Sequence, residues 1–301
     1  MSHDIPVIDI TRLREGTPAE RREVAAALGR ACRETGFFYI TGHGVDPSLL
    51  RAVFDASHAL FALPDAEKER IARSRVGHNR GYVGYGVERL DTAALPDRKE
   101  AFNMGREAAG EPANAWPDIP GWRDLMVGYF AACQSVGASL HRAFALDLGV
   151  DEDFFVDKFT HPMATLRLLH YCAAEPRPRA PGAGAHTDYG NVTILAVDGV
   201  AGLQVRPRGG DWIDAPMIPD AFVCNIGDCL MRWSNDVYVS TPHRVLQPAS
   251  DRYSVAFFLD PDADAVVEPI MARPGDTPHY PPITGADYLR ERLEATYGHT
   301  P

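Results

Sequence analysis

The pattern of apolar and polar residues divides the chain into a first half of helices and a second half of short strands. Apolar residues recur at helical spacing over about 18–35, 47–63 and 122–148, and a shorter helix is predicted over 65–73. Residues 5–10 and 36–41 are rich in β-branched and aromatic residues, which predicts strands. Residues 74–118 are rich in Gly, Pro and charge, and are predicted to form long loops with short extended pieces.

After Pro162 short apolar runs alternate with turn signals. This spacing favours a sandwich or barrel over repeated βαβ units. A final helix is predicted over about 286–295, and no segment reads as a linker between independent domains. We therefore expect the helical half to pack outside a β core. The predicted strands of that core span 166–172, 192–197, 202–205, 221–226, 229–233, 244–247 and 253–259.

Composition narrows the class of protein. The 301 residues carry a net charge of −11, and no run of Lys and Arg suggests a surface that binds a phosphate backbone. Nucleic acid is therefore not an expected partner. No apolar run approaches the length of a membrane span and no signal peptide is visible, so we expect no membrane partner and a cytoplasmic location. Five cysteines without a CxxC pair predict reduced thiols. Nothing in the pattern indicates an oligomeric state.

The chemical interest lies in His186-Thr-Asp188 and in His243, which follows Asp188 by 55 residues. A His-x-acid triplet alone is weak, since roughly one is expected by chance in such a composition. On a strand, however, residues i and i+2 share a face, so His186 and Asp188 are placed to hold one ion. Two imidazoles and one carboxylate on one face of an octahedral metal leave three positions open, as in non-haem Fe(II) oxygenases.

Arg252 and Ser254 lie on one face of a predicted strand that is apolar on both faces, which indicates burial. A buried arginine requires an anionic partner, because an unpaired buried charge is very costly. That partner is either an internal Asp or Glu, or the carboxylate of a ligand held bidentately by Arg252 and hydrogen-bonded by Ser254.

Over nearly its whole length, the chain resembles the 2-oxoglutarate- and Fe(II)-dependent oxygenases of the isopenicillin N synthase-like group. The matching segments, in order, are Ile5-Pro-Val-Ile-Asp-Ile10, residues 32–45, Asn79-Arg-Gly-Tyr82, Lys99-Glu-Ala-Phe-Asn103, Leu166-Arg-Leu-Leu-His-Tyr171, His186-Thr-Asp-Tyr-Gly190, Asn225-Ile-Gly-Asp228, Ser240-Thr-Pro-His-Arg-Val245, Arg252-Tyr-Ser254 and Tyr280-Pro-Pro-Ile-Thr284.

The resemblance implies a mainly β fold, with a double-stranded β-helix (jelly-roll) core and flanking helices. It implies one oxygenase domain over 1–301, with an N-terminal region (1–118) packed on the core, the jelly-roll and iron site in 160–262, and a C-terminal helix within 280–301. One position departs from the family pattern, because Leu169 stands where many members have asparagine.

The resemblance also implies a ligand set and a reaction. Fe(II) would be bound by His186, Asp188 and His243, and 2-oxoglutarate by Arg252 and Ser254, with Tyr171 also reaching this co-substrate. With O₂, the enzyme would hydroxylate or desaturate a small molecule and release succinate and CO₂.

The small-molecule substrate is not readable from the sequence. Arg80, Tyr82 and Phe102 are candidates to line its pocket, against an alternative of loop packing. His43, His170, Trp233 and Tyr238 are expected to be structural, and Asp228 a turn residue.

Three other functions stay open. The enzyme could be an oxidase, cyclase or ethylene-forming enzyme that does not consume 2-oxoglutarate. The chain could be a non-catalytic jelly-roll that binds a metal or ligand. A zinc hydrolase would use the same ligand types, but it leaves Arg252 and Ser254 without a task.

Overall fold

The computed structural model describes residues 5–76, 78–90, 95–175, 181–272 and 275–297. Its helices are α1 (Thr11–Glu15), α2 (Pro18–Glu34), α3 (Pro47–Phe61), α4 (Asp65–Arg70), α5 (Arg73–Val76), α6 (Trp122–Leu148), α7 (Asp228–Trp233) and α8 (Gly285–Tyr297). Its strands are β1 (Val7–Asp9), β2 (Phe37–Thr41), β3 (Gly81–Val83), β4 (Lys99–Gly105), β5 (Thr165–Tyr171), β6 (Ala183–His186), β7 (Val192–Val197), β8 (Leu203–Val205), β9 (Ile213–Asp214), β10 (Phe222–Ile226), β11 (His243–Val245), β12 (Arg252–Leu259), β13 (Val266–Val267) and β14 (Ile283–Thr284).

Two sheets form the core. The major sheet has eight strands in the order β1-β2-β10-β7-β12-β5-β4-β3, and the minor sheet has four in the order β6-β11-β8-β9. Apolar side chains from both sheets form one buried cluster, with Phe37 and Ala256 contributed by the major sheet and Leu203 and Val245 by the minor. This sheet-on-sheet arrangement with helices outside it confirms the predicted jelly-roll with flanking helices.

Helices cover the outer face of the major sheet. Strand alternation sends Phe257 of β12 outward, where its ring meets the ring of Phe130 on α6 edge-on at 5.0 Å. Helix α2 begins at a capping box, because the Thr17 hydroxyl accepts from the backbone N–H of Glu20 and the Glu20 carboxylate accepts from the backbone N–H of Thr17. Helices therefore cover the outer face of the major sheet. Its inner face packs against the minor sheet and is available to form the site.

His141 connects helix α6 to the segment that follows the His-x-Asp triplet. Its ring is buried, with Nδ1 2.8 Å from the carbonyl oxygen of Gly137 and Nε2 3.3 Å from the amide nitrogen of Asn191. The rings of Phe155 and Phe159 lie against it. Donation from Nδ1 to the carbonyl leaves Nε2 as the acceptor for Asn191, so the imidazole is held in its neutral form.

This histidine makes the metal-free protein sensitive to acid. Burial lowers the pKa of His141 to about 4, below the value of about 6.5 expected in the unfolded chain. At a pH between these two pKa values, His141 is protonated in the unfolded chain but not in the folded protein. The free energy of unfolding therefore falls as the pH falls, by up to about 3 kcal/mol. We expect urea titrations at pH 7 and pH 4.5 to show a smaller loss for His141→Gln than for the wild type. The exposed His279→Gln should keep the full loss, and equal losses in all three proteins would contradict the assignment.

Three sequence predictions were wrong in detail. Residues 229–233 form all but the first residue of helix α7 and not a strand, since so short an apolar run has no periodicity that separates a helix from a strand. The stretch 74–118 contains β4, a seven-residue buried strand. Its charged start is compatible with burial because Lys99 pairs with Asp97 and Glu100 with Lys68. Strand β6, which carries His186, was also missed. Among the described helices none is long and apolar enough to cross a bilayer.

Candidate metal and co-substrate site

The three predicted metal ligands meet between the ends of β6 and β11. His186 and His243 face each other in the antiparallel register of these strands, and Asp188 lies two residues beyond β6. The Oδ1 atom of Asp188 is 3.7 Å from Nε2 of His186 and 3.6 Å from Nε2 of His243. The three donor atoms lie within 4.8 Å of one another. Two nitrogens and one carboxylate oxygen therefore converge on one point, which is a donor set that suits Fe(II).

Hydrogen bonds on the far side of each ligand fix its orientation. His186 Nδ1 is 2.8 Å from the carbonyl oxygen of Gly184, and His243 Nδ1 is 3.2 Å from that of Thr241. Protonation at Nδ1 leaves both Nε2 atoms with a free lone pair toward the centre. The Oδ2 atom of Asp188 accepts from the Thr193 hydroxyl at 2.6 Å and from the Asn225 amide at 2.8 Å. Oδ1 is thus the oxygen left for a metal.

The electrostatics of the cluster keep two of its donors, His186 and Asp188, deprotonated at neutral pH. Burial, together with the electrostatic interaction with His243, lowers the pKa of His186 to about 4. Burial acts to raise the pKa of Asp188, but the two imidazoles and the bonds from Asn225 and Thr193 outweigh it, and the pKa is lowered. A metal ion therefore does not have to displace protons from these two groups at neutral pH.

The hydroxyl of Thr193 should contribute measurably to metal binding. Thr193→Val removes its hydrogen bond to Asp188 while keeping the shape of the side chain, and we expect about tenfold weaker Fe(II) binding, at the lower end of the effect of such outer partners. Anaerobic Fe(II) titration measures it. Thr165→Val is the matched control, because Thr165 lines the same cavity on β5, away from the hydrogen bonds that hold Asp188. Equal affinities of the two variants would contradict this role.

Arg252 is the buried cation of this site. Only 1% of it is exposed, its Nε donates to the carbonyl of Val200 at 3.2 Å, and its Nη1 is 3.4 Å from the Ser254 hydroxyl. The guanidinium also lies over the Tyr171 ring, 4.9 Å from its centroid. No carboxylate of the described residues lies within 4 Å of it, so the internal Asp or Glu that the sequence left open is not found there. The positive charge is available to an anionic ligand.

The three predicted metal ligands and Arg252 line one cavity of about 500 Å³. Its floor is the inner face of the major sheet, where strand pairing arranges side chains in rows about 7 Å apart. The first row, which we call the arginine row, holds Lys99, Tyr171 and Arg252. The third row, two rows away from the arginine row, holds Asn103, Arg167, Ala256 and Leu195, and we call it the amide row. The fourth holds Gly105, Thr165, Phe258 and Thr193.

The charged groups around Arg167 on the cavity wall neutralise one another. Glu88 pairs with Arg167 and lies 3.4 Å from Lys99, which also bonds Asp97 at 2.5 Å. Burial acts to raise the pKa of Glu88, but Arg167 and Lys99 outweigh it and hold that pKa at about 2. The wall is therefore polar but carries its charges in pairs.

The predicted pocket residues fall in different places. Arg80 lines the cavity, where it pairs with Glu111 at 3.1 Å. The structure does not bring Tyr82 or Phe102 to the cavity: Phe102 packs edge-on against Trp122, and the Tyr82 hydroxyl bonds Glu100. Strand alternation explains the difference, because Phe102 faces away from its neighbours Ala101 and Asn103. Sequence reasoning missed Asn103 and Arg167. Alternation along the predicted strand 166–172 places Arg167 on the face of Tyr171 and could have identified it, whereas Asn103 lies in a stretch that the sequence predicted as loop.

Asp228 connects helix α8 to the metal ligands and is not only a turn residue. Its backbone N–H donates to the carbonyl of Asp188 at 2.8 Å, and its Oδ2 accepts from Thr187 at 3.1 Å and from Arg292 at 2.6 Å. Leu289 and Leu293 of the same helix line the cavity. Helix α8 therefore closes one side of the site and is bonded to the segment that carries two of its ligands.

Two protein families match the chain. The profile described as non-haem dioxygenase in morphine synthesis N-terminal matches residues 5–119. The profile described as 2OG-Fe(II) oxygenase superfamily matches residues 164–261, which include the three predicted metal ligands together with Arg252.

Curated proteins and solved structures match over most of their length. The 2-oxoglutarate-Fe(II) type oxidoreductase hxnY of Emericella nidulans is 33% identical over 97% of this chain and 90% of its own. Homoarginine-6-hydroxylase 2-ODD-C23.1 of Arabidopsis thaliana is 38% identical over 88% and 87%. A full-length protein of Neurospora crassa, crystallised in complex with alpha-KG and thymine, superposes with a TM-score of 0.91 at 34% identity over 99% of both chains.

Proposed function

Because the chain belongs to the 2OG-Fe(II) oxygenase superfamily, we propose that His186, Asp188 and His243 bind its Fe(II) and that Arg252 and Ser254, with Tyr171, bind the distal carboxylate of 2-oxoglutarate. The chain is a 2-oxoglutarate-dependent dioxygenase whose cofactor is Fe(II) and whose co-substrates are 2-oxoglutarate and O₂. One observation carries the assignment of residues: a converging set of two imidazole nitrogens and one carboxylate oxygen shares a cavity with a buried, carboxylate-free guanidinium.

The chain's own residues perform four tasks in this proposal. Thr193 and Asn225 hold Asp188 so that Oδ1 faces the metal. Gly184 and Thr241 keep both imidazoles in the tautomer that binds through Nε2. Arg252 orients 2-oxoglutarate through its distal carboxylate, and Leu169, beside Tyr171, presents an apolar surface to it. When bound by His186, Asp188 and His243, the metal would supply the site at which O₂ oxidises both 2-oxoglutarate, to succinate and CO₂, and a C–H bond of the substrate.

We propose that all 301 residues form one oxygenase domain. The helices of residues 1–118, with α6, stabilise the outer face of the sheet, while 160–262 supply the ligands. Helix α8 completes the cavity through Leu289 and Leu293.

The primary substrate is a small molecule that binds beside the metal on the wall formed by β4 and β5. Two relatives name candidates for a first screen, since one is a homoarginine-6-hydroxylase and another was crystallised with thymine. In the screen, each candidate is added to the Fe(II)-loaded protein with 2-oxoglutarate, and succinate and oxidised product are both measured.

Two measurements test the proposal. Anaerobic addition of Fe(II) and 2-oxoglutarate should produce a charge-transfer absorption band that is absent from Asp188→Ala. Under air, the true substrate should stimulate the release of one succinate for each product formed. Product without succinate would overturn the 2-oxoglutarate assignment in favour of an oxidase or cyclase, and absence of the band would overturn the proposed ligand set.

A further inference from the structure

Asn103 is a buried amide with an unused acceptor. The residue is fully buried on β4, it lines the cavity, and its Nδ2 donates to the side-chain oxygen of Asn79 at 3.2 Å. Its Oδ1 has no hydrogen-bond partner among the residues that the structure describes. A buried carbonyl oxygen without a donor is unfavourable, and such a group in a native site calls for an explanation.

Arg167 supplies an unused donor next to it. Arg167 is the direct cross-strand partner of Asn103 on β5. Its Nη2 bonds Glu88, while its buried Nε has no partner within the described part of the chain. Side chains of directly paired residues lie about 5 Å apart at Cβ. The wall of the cavity therefore places one free acceptor and one free donor side by side.

We propose that Asn103 and Arg167 form a substrate subsite that recognises a neutral amide edge, an N–H next to a C=O, as in lactams, cyclic ureides and imides. The ligand N–H donates to Asn103 Oδ1, and the ligand carbonyl accepts from Arg167 Nε–H. This inference rests on the proposed function, since it places the substrate of that reaction.

The charges around the subsite argue against ionic ligands. Arg167 already pairs with Glu88, so it offers no uncompensated charge to a carboxylate. Glu88 in turn is shared by Arg167 and Lys99, which leaves no free anion for a ligand ammonium or guanidinium. Asn103 Oδ1 repels a carboxylate and accepts from a neutral N–H. A neutral ligand with one donor and one acceptor satisfies both orphan atoms without breaking these ion pairs.

The amide row also orients the rest of the ligand. Across the sheet, Arg167 is followed by Ala256 and Leu195, which span about 10 Å and present only apolar groups. Leu195 lies two residues from Thr193, whose hydroxyl bonds Asp188. A ligand held by its amide edge at Asn103 and Arg167 therefore extends its carbon skeleton over the apolar part of the row toward the metal ligands.

An isosteric pair of probes tests the subsite. 2-Piperidinone carries the N–H and C=O edge, and δ-valerolactone replaces only the N–H by oxygen. Each is titrated anaerobically into the Fe(II)- and 2-oxoglutarate-loaded protein, and the change in the charge-transfer band gives its dissociation constant. We expect the lactam to bind at least about tenfold more tightly, because the lactone leaves Asn103 Oδ1 unsatisfied. Equal affinities, or no change in the band with the lactam, would overturn the inference.

Two variants locate the effect. Asn103→Leu removes the acceptor at similar volume and should bind lactam and lactone equally. Asn79→Ala is the matched control, because it removes the acceptor shared by Asn103 Nδ2 and Arg73 but leaves Asn103 Oδ1 in place, and it should keep the preference for the lactam. A preference that survives in Asn103→Leu would overturn the role of Asn103. Failure of the wild-type protein to form the band at all would instead contradict the proposed metal and co-substrate site, so the two failures are distinguishable.

Discussion

Replacing His186 by alanine should abolish turnover and lower Fe(II) affinity by more than about a hundredfold. Even outer-shell partners of metal ligands change affinity by about 10- to 100-fold, and His186 contributes one of only three donor atoms. The substitution leaves Asp188 and His243 without their third donor but does not disturb the core, because the imidazole of His186 lines the cavity and belongs to neither apolar cluster. Anaerobic Fe(II) titration and succinate release measure the two effects.

His279→Ala is the matched control for this experiment. That imidazole is about half exposed and pairs with Asp236 outside the cavity. It should bind Fe(II) and release succinate like the wild type, and both variants should unfold at the temperature of the metal-free wild-type protein. Substantial succinate release by His186→Ala would exclude His186 as a ligand.

Replacing Arg252 by methionine should weaken 2-oxoglutarate binding by about two to three orders of magnitude and leave Fe(II) binding intact. Truncating one member of a buried, hydrogen-bonded charge pair costs about 2–5 kcal/mol. Arg252→Lys should fall between the two proteins, because an ammonium cannot form the planar bidentate pair. Titrating 2-oxoglutarate into the Fe(II)-loaded proteins and following the charge-transfer band gives the three affinities.

The same substitution, Arg252→Met, should not lower the melting temperature of the protein when no co-substrate is present. The guanidinium of Arg252 is 1% exposed and has no carboxylate partner in the described part of the chain, so the free protein bears its desolvation cost. We expect metal-free Arg252→Met to melt at or above the wild-type temperature and to gain no stability from added 2-oxoglutarate. A large drop in melting temperature would instead indicate a structural role for Arg252.

The sequence was sufficient to propose the parts of the site in which residue type and chemistry coincide. His186, Asp188 and His243 were proposed as ligands because few functions need two imidazoles and a carboxylate at strand ends, and the structure brings their donor atoms within 4.8 Å of one another. Arg252 was proposed as a clamp because a charge on a strand that is apolar on both faces requires a partner. These signals are local, and the structure only brings them together.

The substrate wall could not be predicted in the same way. Lys99 and Glu100 fall in the stretch 74–118 that was predicted to form long loops with short extended pieces, yet ion pairs with Asp97 and Lys68 permit their burial in β4. Lys68 lies on helix α4, far from Glu100 along the chain, and sequence periodicity carries no record of such a pair. Phe102 was a candidate to line the pocket, against an alternative of loop packing, whereas the face it occupies depends on the register of β4 with β5.

The separation of the arginine row from the amide row has a consequence for how this scaffold diversifies. The two rows lie about 13 Å apart on one sheet. Under the proposed roles, selection can therefore exchange the side chains of Asn103 and Arg167 for new substrates while Arg252 and Tyr171 stay under constant selection for one co-substrate. Laboratory evolution aimed at a new substrate should accordingly concentrate its mutations on the inner faces of β4 and β5 and leave β12 unchanged.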